Sequence, residues 1–304
     1  MKNFLDPIIL NDKIEETIHS VDTDTLPKTS VIIVTYNPDM HLLRENIESL
    51  TSDVKTKYEI WVIDNNKQSK IKNYVSELNI NYIKLKRNYG LTAGRNVGII
   101  HAKGEILIFL DDDAIPGKNF IDEHIKAHTE NNISALRGKC LPRTNSTLNH
   151  FAFHYDLGDG MIPYCINLEG NSSFKKDILL EVGGFNSELK GAGGHEGLEL
   201  SKKIIDRTKD IHSVIYWPDA IIYHDYSKSL IHYLKKQIRH QDHIKYIEDN
   251  HPDFLDFSRS YKPVRIKNEY ELSYITRAKI RLIKKINQHA LRPNSLINRI
   301  VNHL

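Results

Sequence analysis

Ile106-Leu107-Ile108-Phe109-Leu110-Asp111-Asp112-Asp113 is the stretch from which the rest of the chain can be read. Five consecutive apolar residues, without polar alternation, predict a strand buried on both faces, as in the middle of a parallel sheet covered by helices. The run ends in three carboxylates. Ligands of open α/β sheets gather beyond the carboxyl ends of the strands, so these charges fall where chemistry is expected and the core need not desolvate them. Adjacent carboxylates repel one another, and a divalent cation with oxygen ligands, often shared with a phosphate, relieves that repulsion. An acidic strand-to-loop turn would use the same residues.

Upstream, Ser30-Val31-Ile32-Ile33-Val34-Thr35-Tyr36-Asn37-Pro38 reads as a second buried strand, broken by Asn-Pro. Leu42, Leu43, Ile47 and Leu50 recur at helical spacing. Tyr58 to Asn66 is another strand with a polar end, and Tyr82 to Leu85 a further one. Strands alternating with helices at this interval predict a doubly wound, mostly parallel sheet. After the last of these strands, Arg87 to Gly98 enters a helix whose first turn favours anions, with Gly90 and Gly94 permitting close approach of a ligand. That turn matches neither the dinucleotide fingerprint nor the Lys-Ser/Thr phosphate loop.

Downstream, Pro116 stops the central strand, a helix is expected over Phe120 to His128, and a strand over Ile133 to Leu141. Residues 142 to 169 lack periodicity and read as loops and short strands over the ligand edge, where variable substrates are commonly bound. Gly170 to Phe174, a helix from Lys176 to Val182 and Gly183-Gly184-Phe185-Asn186 follow. Four glycines among Gly191 to Gly197 precede a helix, suggesting a loop that delivers His195, Glu196 and Glu199 to a site. The same two glutamates would also suit the positive end of a helix dipole. Val214 to Trp217 and Ala220 to His224 read as a short strand pair, with His224 structural unless carboxylates are near it.

The 304 residues suffice for one large α/β domain with extensions, and 40% hydrophobic with 27% charged residues is ordinary for a globular chain. Positive charge is concentrated at the end: 10 Lys+Arg against 2 Asp+Glu from Tyr261 onward, leaving 32 against 37 before it. Cys140 and Cys165 form no metal spacing and no disulfide framework, which fits a reduced, cytoplasmic setting. No apolar run reaches the ~20 residues of a membrane span, and Met1 to Ser30 lacks the apolar centre of a signal peptide. A helix is expected over Ser229 to Ile247, its Lys235, Lys236, Arg239 and His240 forming either a solvated or an anion-binding face. A second helix, Tyr274 to Ile286, interleaves Ile275, Ala278, Leu282 and Ile286 with five basic residues. Such helices bind acidic membrane surfaces or partner proteins, or pack on their own domain.

The ordered set Val34-Thr35-Tyr36-Asn37, Val62-Ile63-Asp64-Asn65-Asn66, Asn88-Tyr89-Gly90 with Gly94-Arg95-Asn96, Leu110-Asp111-Asp112-Asp113, Gly183-Gly184-Phe185 and Gly194-His195-Glu196 resembles the inverting glycosyltransferases of family 2. The resemblance implies a GT-A fold, an α/β doubly wound mostly parallel sheet flanked by helices. It divides the chain into an N-terminal extension (1–28), a GT-A domain (29–227, donor half 29–115 and acceptor half 116–227) and a helical, basic C-terminal extension (228–304). It also implies transfer of a sugar from a nucleotide-sugar donor, with a UDP-sugar preferred, to a glycan, lipid-linked or protein acceptor hydroxyl.

Asp111 and Asp112 then belong to the donor site with Thr35, Tyr36, Asn37, Asp64, Asn88, Gly90, Gly94 and Arg95. Asp113 ligates Mn2+ or Mg2+, joined by His224; Asn171 and His195 face the acceptor. Neutralising a departing diphosphate with a Lewis acid agrees with this assignment. Inversion needs a carboxylate base on the acceptor side. The family supplies one from a Glu-Asp pair after Gly-Gly-Phe, but here Glu196 is followed by Gly197, so Glu196 and Glu199 are both candidates. No nucleic acid is implied as a partner; the basic tail helix is expected to contact a membrane's inner face or a partner protein, and oligomerisation stays open. Two other functions fit part of the pattern. A sugar-phosphate nucleotidyltransferase would place a Gly- and Arg-rich loop where Thr35 to Pro38 stands, and a non-catalytic sugar-nucleotide binding scaffold would explain Gly197.

Overall fold

A computed structural model describes residues 2–20, 26–51, 56–152, 154–168, 170–191, 195–260 and 272–303. Residues 192–194, within the expected glycine-rich loop, lie outside the described residues. The strands are β1 Ile14–Ile18, β2 Thr29–Thr35, β3 Tyr58–Asp64, β4 Asn81–Leu85, β5 Ile106–Asp111, β6 Ile115–Pro116, β7 Ala135–Leu141, β8 Asn171–Lys175 and β9 Val214–Tyr223. The helices are α1 Pro7–Asn11, α2 Met40–Thr51, α3 Lys72–Ser76, α4 Leu91–His101, α5 Phe120–Glu130, α6 Lys176–Glu181, α7 Glu196–Thr208, α8 Leu230–Asn250, α9 Phe254–Ser260, α10 Tyr274–Ala290 and α11 Leu296–His303.

One sheet runs in the order β1-β4-β3-β2-β5-β8-β7-β9-β6. β4, β3, β2 and β5 are mutually parallel, and β8 pairs antiparallel with both β5 and β7. The β-branched run of β2 shows why the sheet is covered twice. Ile32 joins one apolar layer with Trp61, Phe109, Val97 of α4 and Leu200 of α7. Its neighbours Val31 and Ile33 point the other way, to Leu43 and Ile47 of α2 and Phe120 and Ile125 of α5. Successive side chains of a strand alternate between faces, so an uninterrupted apolar run needs helices on both sides.

Register aligns the polar strand ends. Val34 lies opposite Asp111 and Thr35 opposite Asp64, so the ends of three adjacent parallel strands form one edge. The glycines of α4 let the helix settle against this edge. A β-carbon at Gly94 or Gly98 would collide with Val34 or Ile32, so only glycine allows α4 to lie so close on β2.

Three segments depart from the sequence reading. The polar N-terminal stretch is part of the sheet: β1 pairs antiparallel with β4, and Leu5 and Leu10 enter the core. The predicted short strand pair is one strand, β9, whose register against β7 shifts between Gly138 and Lys139 and absorbs Pro218, Asp219 and Ala220. Pro-Asp reads locally as a turn, but a bulge accommodates the same residues. The tail helix α10 turns Ile280, Ile283, Ile286 and Ala290 inward, onto Leu148, Phe151, Tyr233 and Leu234. Ile275 and Leu282, part of the apolar face read from the sequence together with Ile286, are exposed, so two apolar stripes run along this helix.

Candidate active site

The edge formed by β2, β3 and β5 is one wall of a cleft of about 510 Å³. The other wall comes from β7, β9, residues 155 and 170, and the start of α8. Of the residues singled out from sequence, Thr35, Tyr36, Asn88, Gly90, Arg95, Asp111, Asp112, Asp113, Asn171, Glu196 and His224 line it.

The acidic turn is held from below. Asn46, buried on α2, donates to the carbonyls of Asp111 (2.9 Å) and Ala114 (2.6 Å). Gly170 crosses the turn where no β-carbon fits, because one would overlap the Asp111 carboxylate. Arg95 lies under both, its Nη2 3.4 Å from Asp111 and its Nη1 3.6 Å from Glu196. Its guanidinium packs over the rings of Phe109 and Phe185. Arg95 is therefore a buried strut that fixes the carboxylates of Asp111 and Glu196 relative to each other.

Asp113 accepts from Lys228 Nζ at 2.9 Å and stands 3.1 Å from His224 Nε2. Burial opposes ionisation of Asp113, but His224 and Lys228 outweigh it and hold the carboxyl well below the usual range. Burial also opposes charge on His224, yet its hydrogen bond to Asp113 raises it well above the usual histidine range. Asp112 has no such partner. Loss of solvation, then Asp113 and Asp111 on either side, push its carboxyl up to about 7. Neighbouring acids are thus driven in opposite directions, Asp113 down and Asp112 up, as like charges in contact require.

Carboxylate oxygens with an imidazole suit Mn2+ or Mg2+. Asp113 Oδ1 and His224 Nε2 are hydrogen-bonded at 3.1 Å, and among the described residues no group of three or more His, Cys, Asp or Glu side chains is placed to hold a metal ion.

On the wall formed by the strand ends, Asn65 clamps the next loop. Its amide donates to Asn88 Oδ1 (3.1 Å) and the Gly90 carbonyl (3.0 Å) and accepts from Tyr89 N (2.8 Å). Gly90 has φ +90° and caps α4 without a side-chain hydrogen bond, leaving the first N–H groups of the helix toward the cleft. Thr35 Oγ1 is buried with no hydrogen-bond partner among the described residues, as a hydroxyl reserved for a ligand would be.

Other expected site residues lie elsewhere. Asp64 is buried beneath the cleft, accepting from Tyr82 at 3.0 Å, and burial raises its carboxyl. Asn37 is exposed with φ +50° and accepts from Asn66. His195 packs against His240 at 4.9 Å and is not part of the cleft lining. Asn171 lines the cleft, but its amide is consumed: His124 meets Oδ1 at 3.0 Å, and Nδ2 serves the carbonyls of Lys139 and Ala220. It joins β7, β8, β9 and α5. Glu199 is 3% exposed and faces Lys203 (3.9 Å) and His251 (3.5 Å), away from the cleft.

Gly197 is explained by the structure. A β-carbon there would fall inside the Leu168 carbonyl, so neither an aspartate nor any other side chain fits at this backbone contact. Glu196, also 3% exposed, is left as the carboxylate that α7 presents to the cleft.

Residues not singled out from sequence complete the second wall. Asp225 Oδ1 accepts from Arg143 N, Thr144 N and Asn149 Nδ2, pinning the irregular loop over the cleft. Arg137, Tyr155, Tyr226, Lys228 and His232 line it as well. None of these five stood out in the sequence; of the basic face noted after Ser229, Lys236 lines the cleft.

The glycosyl transferase family 2 model matches residues 30–183. Over 105 residues the chain is 32% identical to the uncharacterized glycosyltransferase YfnE of Bacillus subtilis, covering 33% of this chain and 27% of that protein. It is 26% identical over 230 residues to glycosyltransferase AglE of Haloferax volcanii, covering 71% of this chain and 73% of AglE. Among solved structures, the mannosyltransferase PcManGT from Pyrobaculum calidifontis, in complex with GDP-Man and Mn2+, matches with a TM-score of 0.55 at 15% identity. That match covers 97% of this chain and 89% of PcManGT, and it shows that the GT-A fold is shared.

Proposed function

Because the chain belongs to glycosyl transferase family 2, we propose that it moves a sugar from a nucleotide-diphosphate donor, a UDP-sugar in the first instance, to an acceptor hydroxyl with inversion. The carrying observation is that Asp111, Asp113, His224 and Glu196 converge on one cleft although 113 residues separate the first from His224. The donor wall, with Thr35, the Asn65–Asn88 clamp and the open start of α4, receives the nucleotide and its phosphates. The crystallised complex of PcManGT with GDP-Man supports a nucleotide-sugar in this fold.

Asp113 and His224 would hold Mn2+ or Mg2+. Such an ion, when bound, acts as a Lewis acid on the leaving diphosphate. In the chain alone, Lys228 and the charged His224 supply positive charge at the same point. Glu196, fixed by Arg95, accepts the proton of the attacking hydroxyl on the face opposite the diphosphate. Asp111, on the same guanidinium, orients the donor sugar, and the 142–169 loop with the start of α8 frames the acceptor.

Release of nucleoside diphosphate, measured with and without EDTA, tests this reading together with Asp113→Ala. EDTA is expected to abolish turnover, and Asp113→Ala to remove the manganese dependence of donor binding. Full activity after complete removal of divalent ions, or unchanged donor affinity of Asp113→Ala in a manganese titration, would refute it.

A second surface supports peripheral attachment to an acidic membrane. Tyr274, Ile275 and Leu282 of α10, and Leu296 and Ile300 of α11, are exposed beside Arg277, Arg281 and Lys285. Apolar side chains rimmed by cations suit a headgroup layer. No described helix is long and apolar enough to cross a membrane. The chain should co-sediment with phosphatidylserine vesicles but not with pure phosphatidylcholine, and Ile275→Glu with Leu282→Glu should lose binding. Equal sedimentation of the double variant would end the idea.

A further inference from the structure

Among the described residues, the lysine and arginine side chains that line the cleft each have a hydrogen-bonding or ion-pair partner, except Lys236. Arg95 serves Asp111 and Glu196, Lys228 serves Asp113, and Arg137 donates to the Asn167 carbonyl at 2.9 Å. Lys236, one turn into α8 beyond His232, is 8% exposed and lines the cleft. No carboxylate among the described residues lies within ion-pair distance of it. Its nearest partner is an aromatic face, with Nζ 4.1 Å from the centre of the Tyr226 ring.

One turn back on α8, His232 is held neutral by burial and then by the cations Lys236, Lys228 and Arg239, with Asp113 the one acid acting on it. A cation–π contact offsets only part of the cost of burying an ammonium ion. The remaining cost is met when an anion occupies the adjoining space.

The acids of the cleft cannot be that anion, being already paired or, at Asp112, flanked by acids. The donor diphosphate is placed by Asp113, His224 and Lys228. Lys236 belongs to the second wall, where it lies against Tyr226; that ring is 5.6 Å from Tyr155, which is 6.0 Å from His224. The positive reserve therefore belongs to the wall that frames the acceptor.

We propose that Lys236, with His232 beside it, forms a subsite for a phosphate group carried by the acceptor, so that the substrate class is a phosphate-bearing saccharide, alditol or lipid-linked glycan. The proposal deepens the glycosyltransferase reading and rests on it. The phosphate oxygen accepts from the Lys236 ammonium, and the acceptor hydroxyl is thereby positioned toward Glu196. Lys236 positions substrate and takes no part in proton transfer.

Isothermal titration of glycerol 3-phosphate, with glycerol as control, into full-length protein saturated with UDP and Mn2+ reads this subsite directly. Wild type is expected to bind glycerol 3-phosphate with UDP in place and to ignore glycerol. Lys236→Gln should weaken glycerol 3-phosphate at least about tenfold, the loss of one charge-assisted hydrogen bond, while UDP affinity stays unchanged. Lys236→Arg should restore most of the binding.

Equal binding by wild type and Lys236→Gln would overturn the proposal. So would exclusion of glycerol 3-phosphate by UDP in wild type, since the anion site would then belong to the donor's diphosphate; this arm needs no variant to fold. Failure of wild type to bind UDP or GDP with Mn2+ would strike the donor reading instead, and is scored separately in the same titrations.

Discussion

The wall that carries Thr35, Asn65 and Asp111 consists of the ends of neighbouring parallel strands, whereas the wall that carries His224, Tyr226 and Lys236 is assembled from a strand end, an irregular loop and the first turns of a helix. On the first wall, register alone brings the polar ends together, because strands that pair along their length must also end together. On the second, each piece needs its own fastener. Asp225 pins residues 143–149, Asn171 ties β7 and β9 to α5, and α10 with α11 buttress α8. The first wall is held by strand pairing, and the second through particular polar contacts. Under the proposed function, sequence variation in the second wall would change the acceptor without disturbing the first.

The largest effect that bears on this contrast is expected from Glu196→Gln, the point where the walls meet. Removing a general base costs roughly 10²–10⁴-fold in turnover. Donor binding, read by titration with UDP and Mn2+, should change little. Glu199→Gln, one helical turn away, should leave turnover within about threefold, since a residue that touches no reacting atom contributes nothing to proton transfer. A reversed outcome, with Glu199→Gln inactive and Glu196→Gln active, would break the assignment of the base to the residue on the cleft.

A smaller effect, on stability, concerns the fasteners. Burial holds His124 down to about 3 and His128 down to about 4, below the 6.5 they would have in the unfolded chain. Both fold as neutral rings and would gain protons on unfolding. Their stability contribution is therefore complete above pH 6.5 and is lost as pH falls from 6.5 toward those values, by about 1.4 kcal/mol per pH unit for each ring. The melting temperature should accordingly drop between pH 6.5 and 4.5. A melting temperature that stays level over that interval would show that these rings are charged in the fold and that the Asn171 junction tolerates acid.

Much of the donor wall was legible in residue order. The unbroken run Ile106 to Leu110 could only be a two-sided strand, and its neighbours repeated the pattern with polar ends, so the sheet, its parallel sense and the place of Asp111 to Asp113 followed from alternation and length. Local patterns misled where a side chain's role is set by distant chain. Asn171 looks like any exposed amide until His124, 47 residues away, meets it. Gly94 looks like a ligand glycine until Val34 is seen against it. Pro218-Asp219 reads as a turn until β7 supplies a bulge to absorb it.

By itself, then, the sequence determined the sheet, the two apolar layers and the acidic turn at the sheet's edge, because periodicity and burial are properties of neighbouring residues. Tertiary structure alone decided which of two glutamates reaches the cleft, why no side chain fits at Gly197, and that Lys236 is enclosed without a carboxylate. The last of these holds among the described residues, and all depend on the Leu168 carbonyl, the Arg95 guanidinium and the Tyr226 ring arriving from remote segments; no spacing along the chain encodes which atoms will meet there.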